Sequence, residues 1–197
     1  MSKNWKTAKI SQLCRVVAGG TPSTAKPEYW GGEIPWVTPM DLSKLKGKYI
    51  EKGSRNISEK GLASSSAERI PARSIIMSSR APIGYLAINK QEATTNQGCK
   101  SFVCGDDIDV EYLYYYLSHH MDEIKRLGSG STFAEVGKRQ LENLLIEYPD
   151  PPTQRKIVQV LSTIDEDIQK IDQTILKSKE LKQGLMRDIF SGKIAIN

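Results

Sequence analysis

The chain has 197 residues, 39% hydrophobic and 26% charged, ordinary for one globular domain with a real core plus an appendage. No apolar run approaches the ~20 residues of a membrane span, the first residues lack the apolar block of a signal peptide, and three scattered cysteines, Cys14, Cys99 and Cys104, fit a reduced, cytoplasmic setting. The net charge of +5 permits a nucleic-acid partner without requiring one.

In chain order, residues 1–150 read as one domain of short elements. Ala18-Gly19-Gly20-Thr21-Pro22-Ser23 is a turn-rich loop. Ile34 to Val37 reads as a short strand, and Pro35 within it predicts a sheet edge. Lys44, Lys46, Lys48, Lys52, Arg55 and Lys60 then face only Glu51 and Glu59, a segment that could meet phosphate or be a solvated face. Ser58 is placed to cap a short helix through Ala63. Ser74–Met77 and Gly84–Ile88 are apolar β-rich runs joined by a Ser-Ser-Arg-Ala-Pro-Ile loop, and Lys100–Cys104 is a further strand.

Asp109 is the expected N-cap of a helix carrying Leu113, Tyr116, Leu117, Met121 and Ile124 on one face. The tyrosines at 112, 114, 115 and 116 have helical spacing and acidic neighbours, which favours core over base stacking. A Gly-Ser-Gly-Ser-Thr loop over 128–132 precedes a short helix at Lys138–Glu142 and a strand at Leu144–Tyr148. The boundary falls at Tyr148-Pro149-Asp150-Pro151-Pro152, with the prolines just outside the next helix.

Residues 151–197 form the second region. Ile157, Leu161, Ile164, Ile168, Ile171 and Ile175 step by four, three, four, three, four, a heptad seam. The seam loses register at Ser178 and Lys182 and resumes at Leu181, Leu185, Ile189 and Phe190. About 38 helical residues would run roughly 57 Å at 1.5 Å per residue, longer than the preceding domain is wide. The stripe therefore needs a partner. The predicted class is α+β: a small globular domain of short strands and helices, then one long C-terminal helix forming an antiparallel coiled coil with another chain.

Catalytic patterns are weak. Asp150-Pro151-Pro152-Thr153 echoes an amino-methyltransferase loop, but the aromatic residue that would stack a flipped base is Thr, and no glycine-rich cofactor turn accompanies it. Asp150 with Glu180-Leu181-Lys182 mimics a nuclease set, yet an intact helix would hold Glu180 roughly 40 Å from Asp150. No phosphate-binding nucleotide loop is present, and adjacent His119 and His120 lack helical metal-ligand spacing. Recognition remains. Loops rich in donors could contact phosphates and base edges through Thr21, Ser23, Lys46, Lys48, Ser79, Arg80, Asn96, Gln97, Ser131 and Thr132. Arg80 could grip guanine or phosphate with two prongs, or form a structural ion pair.

The succession Gly-Gly-Thr-Pro-Ser (19–23), Tyr-Trp (29–30), Ile-Pro-Trp-Val (34–37), Asp-Leu (41–42) and Ile-Ser-Glu-Lys-Gly-Leu (57–62) resembles the specificity subunit of type I restriction–modification enzymes. So do Ser-Ser-Arg-Ala-Pro-Ile-Gly (78–84), Thr-Asn-Gln-Gly (95–98), Leu-Tyr-Tyr-Tyr-Leu (113–117), Gly-Ser-Gly-Ser-Thr-Phe (128–133) and Gly-Leu-Met-Arg-Asp-Ile-Phe-Ser-Gly-Lys (184–193). Their order across nearly the whole chain carries the likeness.

The resemblance implies a non-catalytic target recognition domain that reads one half of a split double-stranded DNA sequence. It implies a conserved-region helix that spaces the readers and docks methyltransferase subunits, with a restriction subunit as a further possible partner. No cofactor would bind this chain. S-adenosylmethionine, ATP and Mg²⁺ would serve adenine methylation and ATP-dependent cleavage on the partner subunits. Such subunits typically carry two recognition domains and two helices; this chain has one of each, as a half-subunit would. Its partner helix would then come from a second copy, joined through Ile157, Leu161, Ile164, Ile168, Ile171, Ile175, Leu181, Leu185 and Ile189 in a two-fold dimer facing an inverted repeat. The competing readings are a stand-alone DNA methyltransferase or nuclease, and an assembly module that never touches DNA.

Overall fold

In the computed structural model, which describes residues 5–128 and 134–194, side-chain caps at Thr38, Ser58, Asp109 and Asp150 open helices. The chain runs β1 (Lys6–Lys9), α1 (Ile10–Leu13), β2 (Cys14–Ala18), β3 (Trp30–Val37), α2 (Pro39–Ser43), β4 (Tyr49–Ile50), β5 (Arg55–Ile57), α3 (Glu59–Ala63) and β6 (Ile75–Ser78). It continues with β7 (Leu86–Asn89), β8 (Thr94–Thr95), β9 (Cys99–Cys104), α4 (Val110–His119), α5 (Met121–Leu127), α6 (Lys138–Glu142), β10 (Leu145–Tyr148) and α7 (Pro151–Phe190). Two compact units result, residues 1–158 and 159–197.

The first unit is built on a five-stranded sheet of order β2-β9-β6-β7-β4. Every residue of β6 is buried, because both faces of the sheet are covered. Ile75 and Met77 face a core shared with Val16, Phe102, Leu113, Leu117 and Ile124. Ile76 faces the other side, with Val17, Leu42, Ile50 and Ala87. A three-stranded sheet, β5-β3-β8, packs its own small core around Ile34, Trp36 and Ile57. Strand β1 pairs with β10.

Three local expectations need correction. Strand β3 is central in its sheet rather than at an edge. Pro35 is tolerated there because β8 pairs only with Trp36 and Val37, while the Pro35 carbonyl accepts from the Thr94 hydroxyl at 2.9 Å. The helix from Asp109 does not run unbroken to Ile124; it breaks at His120, although Met121 and Ile124 still reach the same core as Leu113. Pro151 and Pro152 lie inside the first turn of α7, not ahead of it. First-turn N–H groups have no helical partner, so proline sacrifices nothing there, and Asp150 caps the turn by accepting from the Thr153 N–H at 3.0 Å.

The start of α7 belongs to the first unit. Gln154 is fully buried; its side-chain oxygen accepts from the Asp109 N–H at 2.7 Å, and its nitrogen donates to the Asp107 and Pro149 carbonyls. Ile157 and Val158 pack against the main core. In the second unit the helix exposes Ile164, Ile168, Ile171, Ile175, Leu181 and Leu185, together with Val160, Leu176, Met186 and Phe190.

One polar network ties the loop before β4 to α4. Lys48 donates to Glu111 at 2.8 Å and to the Tyr115 hydroxyl at 2.9 Å, and the Tyr49 hydroxyl donates to Glu111 at 2.6 Å. The Lys48 and Glu111 side chains are only 11% and 15% exposed, and without Lys48 the Glu111 carboxylate keeps the Tyr49 hydroxyl and, at 3.9 Å, Arg73. Lys48→Met should cost about 2–3 kcal/mol, less than a buried pair broken outright because Tyr49 and Arg73 remain, and lower Tm by roughly 4–12 °C for a domain of this size. Burial alone would raise the Glu111 carboxyl, but hydrogen bonds from Lys48 and Tyr49 outweigh it and hold it below its ordinary value of 4.5. A depressed carboxyl contributes stability that is complete above the unfolded value and is lost as pH falls through the folded one. Urea melts should therefore show stability falling below about pH 4.5, with a shallower acid limb in Glu111→Gln.

Candidate nucleic-acid interface

Four polar stretches that are distant in sequence meet around the end of β6. The loop after β2 is drawn in by backbone bonds: Gly20 donates to the Thr95 carbonyl at 2.9 Å and Gly19 to that of Cys99 at 3.3 Å. The loop after β8 turns on Asn96, whose side chain accepts from the Gly98 N–H at 3.0 Å. The loop after β6 joins through Ser79, whose N–H donates to the Gly98 carbonyl and whose carbonyl accepts from the Val136 N–H. Residues 134–136 complete the group, with Arg80 and Glu135 bridging as a short antiparallel pair.

The side chains follow this scaffold. The Thr21 hydroxyl donates to Gln97. Arg80 Nε donates to Glu135 at 2.9 Å, and buried Lys100 reaches the Ser79 hydroxyl at 3.1 Å and Glu135 at 3.3 Å. Burial acts to raise the Glu135 carboxyl, but Arg80 and Lys100 outweigh it and hold it down. The Arg80 guanidinium thus has one edge anchored while its side chain stays half exposed. Around the first loop, Trp30 donates its indole N–H to the Ser23 carbonyl at 3.1 Å and Trp36 donates to that of Gly20 at 2.9 Å.

The proposed contact residues therefore divide. Thr21, Ser79, Arg80, Asn96 and Gln97 come together, and Ser23 is held beside them by Trp30. Ser79 is itself fully buried, so it acts through Lys100 and the backbone rather than by direct contact. Lys46 is exposed and makes no ion pair among the described residues. Lys48, read in the sequence as a phosphate contact, is instead committed to Glu111 inside the fold. Ser131 and Thr132 lie outside the described residues.

Lys100 and Glu135 were not singled out from the sequence, and Arg55 was named only as one charge of the basic segment. Strand periodicity held the signal for Lys100: it shares a face of β9 with core residue Phe102, and a charge at a core position demands a counter-charge. The cysteines are free, and Cys14 and Cys104 stand opposite each other on β2 and β9 with sulfurs 3.8 Å apart. Burial pushes the Cys99 thiol up to about 12. Asp150, the residue common to both catalytic echoes, is occupied as the cap of α7. Among the described residues no helix is long and apolar enough to cross a membrane, and no three His, Cys, Asp or Glu gather as metal ligands.

Comparison with known proteins gives consistent results. The family described as type I restriction modification DNA specificity domain matches residues 2–180. The MjaIX specificity subunit of Methanocaldococcus jannaschii is 44% identical over 190 residues, covering 95% of this chain and 43% of that one. The EcoR124I/EcoR124II specificity subunit of Escherichia coli is 30% identical over 186 residues, covering 91% and 45%. Among solved structures, a chain from a study of complex assembly and conformational transition in a type I restriction–modification system superposes with a TM-score of 0.75 at 19% identity, covering 96% and 46%. The HsdS subunit from Thermoanaerobacter tengcongensis gives 0.67 at 20% identity, covering 98% and 46%. The chain spans a little under half the length of these relatives.

Proposed function

The chain belongs to the family of type I restriction modification DNA specificity domains, and from that membership we propose that it reads one half of a bipartite DNA target and positions methyltransferase subunits upon it. The convergence of Thr21, Arg80, Asn96 and Gln97 on one polar surface carries this reading. These side chains match the acceptor-rich edges of bases and backbone phosphates. The reading takes residues 1–150 as the reader and 151–197 as spacer and docking helix. Chemistry would reside on partners: S-adenosylmethionine with the methyltransferase subunits, ATP and Mg²⁺ with a restriction subunit.

The second copy enters through the apolar seam. Ile164, Ile168 and Ile171 are each more than half exposed, a loss that an antiparallel partner helix would recover. A two-fold pair would present identical readers to an inverted repeat. Mapping methylated adenines in cells that express the system tests this. An interrupted palindrome supports the self-paired form; an asymmetric motif would replace the second copy with a different half-subunit.

Two substitutions separate reading from mere attachment. Lys46→Ala should weaken binding of the methyltransferase-bound chain to all DNA alike and reduce the salt slope by about one phosphate equivalent. Arg80→Ala should lower cognate affinity by about tenfold or more, with little change on random DNA, the size expected for one base-reading arginine. Titrations at several salt concentrations check both. Unchanged affinity in both variants would favour an assembly module that does not touch DNA.

A further inference from the structure

Resting on that DNA-reading proposal, a second arginine stands out by the way it is held. Arg55 lies on β5 directly across from Trp36, and its guanidinium carbon sits 3.6 Å from the centre of the Trp30 ring and 5.9 Å from that of Trp36. The two indoles meet edge to face, 5.0 Å apart at 82°. Each is fixed by its N–H bond to the loop that carries Thr21 and Ser23. Arg55 therefore rests on a platform that cannot rotate without moving that loop.

The donors of Arg55 are not consumed. Arg15, Arg69, Arg73 and Arg80 each lie within ion-pair distance of a glutamate. Among the described residues Arg55 has neither an ion pair nor a hydrogen bond from its side chain, and it is exposed. The nearby Asp41 carboxylate is occupied by the Ser54 N–H and by Thr38. Arg55 lines a groove with Gly31, Gly32 and Lys52. The glycines keep one wall of that groove free of side chains. A Cβ on Gly32 would stand 2.6 Å from the Ile57 carbonyl oxygen, and Gly31 has a φ of +76°, so a side chain clashes at the first and strains the backbone at the second.

We propose that Arg55 is a DNA-contacting residue whose stacked guanidinium presents two coplanar N–H donors to a matched pair of acceptors, on a guanine edge or on a phosphate. Stacking spends only the face of the guanidinium and leaves its N–H edge free, while holding its plane fixed. Lysine has the charge but neither the plane nor the fork. Lys52 on the same groove adds attraction for the DNA backbone without directional demand.

The test compares wild type, Arg55→Met and Arg55→Lys as methyltransferase-bound complexes. Affinity is measured for cognate and random duplexes over a range of salt, and the methylated motif is determined for each variant. Methionine preserves apolar packing on Trp30, and thermal melts verify that the fold is retained. Arg55→Met should lower cognate affinity by about tenfold or more. If the acceptors are on guanine, Arg55→Lys falls similarly and one position of the methylated motif becomes degenerate. If they are on phosphate, Arg55→Lys keeps the wild-type motif and salt slope but loses part of the affinity on every sequence, and Arg55→Met loses more, with a salt slope smaller by about one. Wild-type affinity and motif in Arg55→Met would overturn the assignment while leaving the DNA-reading proposal standing. A wild-type complex that fails to bind DNA would remove that proposal and this one together.

Discussion

Ile164→Asp combined with Ile171→Asp should turn the proposed two-fold dimer into a monomer at micromolar concentration, seen as a halved mass by light scattering. Both residues lie on one stripe of α7 and are 51% and 59% exposed. Burying the exposed half of such a side chain contributes about 1 kcal/mol, taking half of the usual 1.5–3. A two-fold interface contains each position twice, so four side chains change at once. Burying aspartate without a partner adds a further penalty at every one. The combined loss exceeds about 4 kcal/mol, which raises Kd at least a thousandfold. The first unit should keep its Tm, because neither residue belongs to it. Ile157 predicts the opposite pattern. It packs against the main core of the first unit, so Ile157→Asp should lower Tm, and it is better assigned to holding the helix start than to the seam. A wild-type chain that remains monomeric with methyltransferase subunit present would refute the two-fold form.

Local signals were legible because they are settled by neighbours in sequence. Ser58 caps α3 by accepting from the Gly61 N–H at 3.1 Å, and Asp109 caps α4 by accepting from Glu111 and Tyr112. The helix over 138–142 and the long α7 also follow from spacing and breakers. Pairing across the chain was not legible. Strand β4 lies parallel to β7, and β3 parallel to β8, each through only two residue pairs; no short-range pattern specifies such contacts. The same limit explains the charged residues. Lys46 and Lys48 look equivalent in sequence, and only the fold brings Glu111 to one of them, 63 residues on. Arg55 sat in the basic segment, but its meaning depends on Trp30, which a bulge in β3 places beneath it. The motifs that carried the family likeness fared better: Gly-Gly-Thr-Pro-Ser, Ser-Ser-Arg-Ala-Pro-Ile-Gly and Thr-Asn-Gln-Gly are the loops that meet.

That meeting depends on one missing side chain. A Cβ on Gly19 would stand 1.9 Å from the Asn96 carbonyl oxygen and 2.5 Å from the Thr95 hydroxyl, far inside any real contact. The obstacle is backbone, and that backbone is fixed: Asn96 O accepts from the Cys99 N–H at 3.0 Å and Thr95 O from that of Gly20 at 2.9 Å. No rotamer change relieves such a clash, so Gly19→Ala must part the two loops. The cost should be about 3 kcal/mol or more, the upper end for overpacking, with Tm lower by roughly 6–12 °C. Parting the loops also separates Thr21 from Gln97, so the ratio of cognate to random affinity should collapse toward one. Gly184→Ala is the matched control. It sits in α7 with nothing within 4 Å, and alanine there should stabilise the helix by up to about 1 kcal/mol. Thr21→Val removes the hydroxyl without a clash, and it should reduce the affinity ratio while leaving Tm nearly unchanged. If Gly19→Ala lowered Tm but kept the full ratio, the loop junction would be structural alone, and sequence reading would have to move to the Arg55 groove.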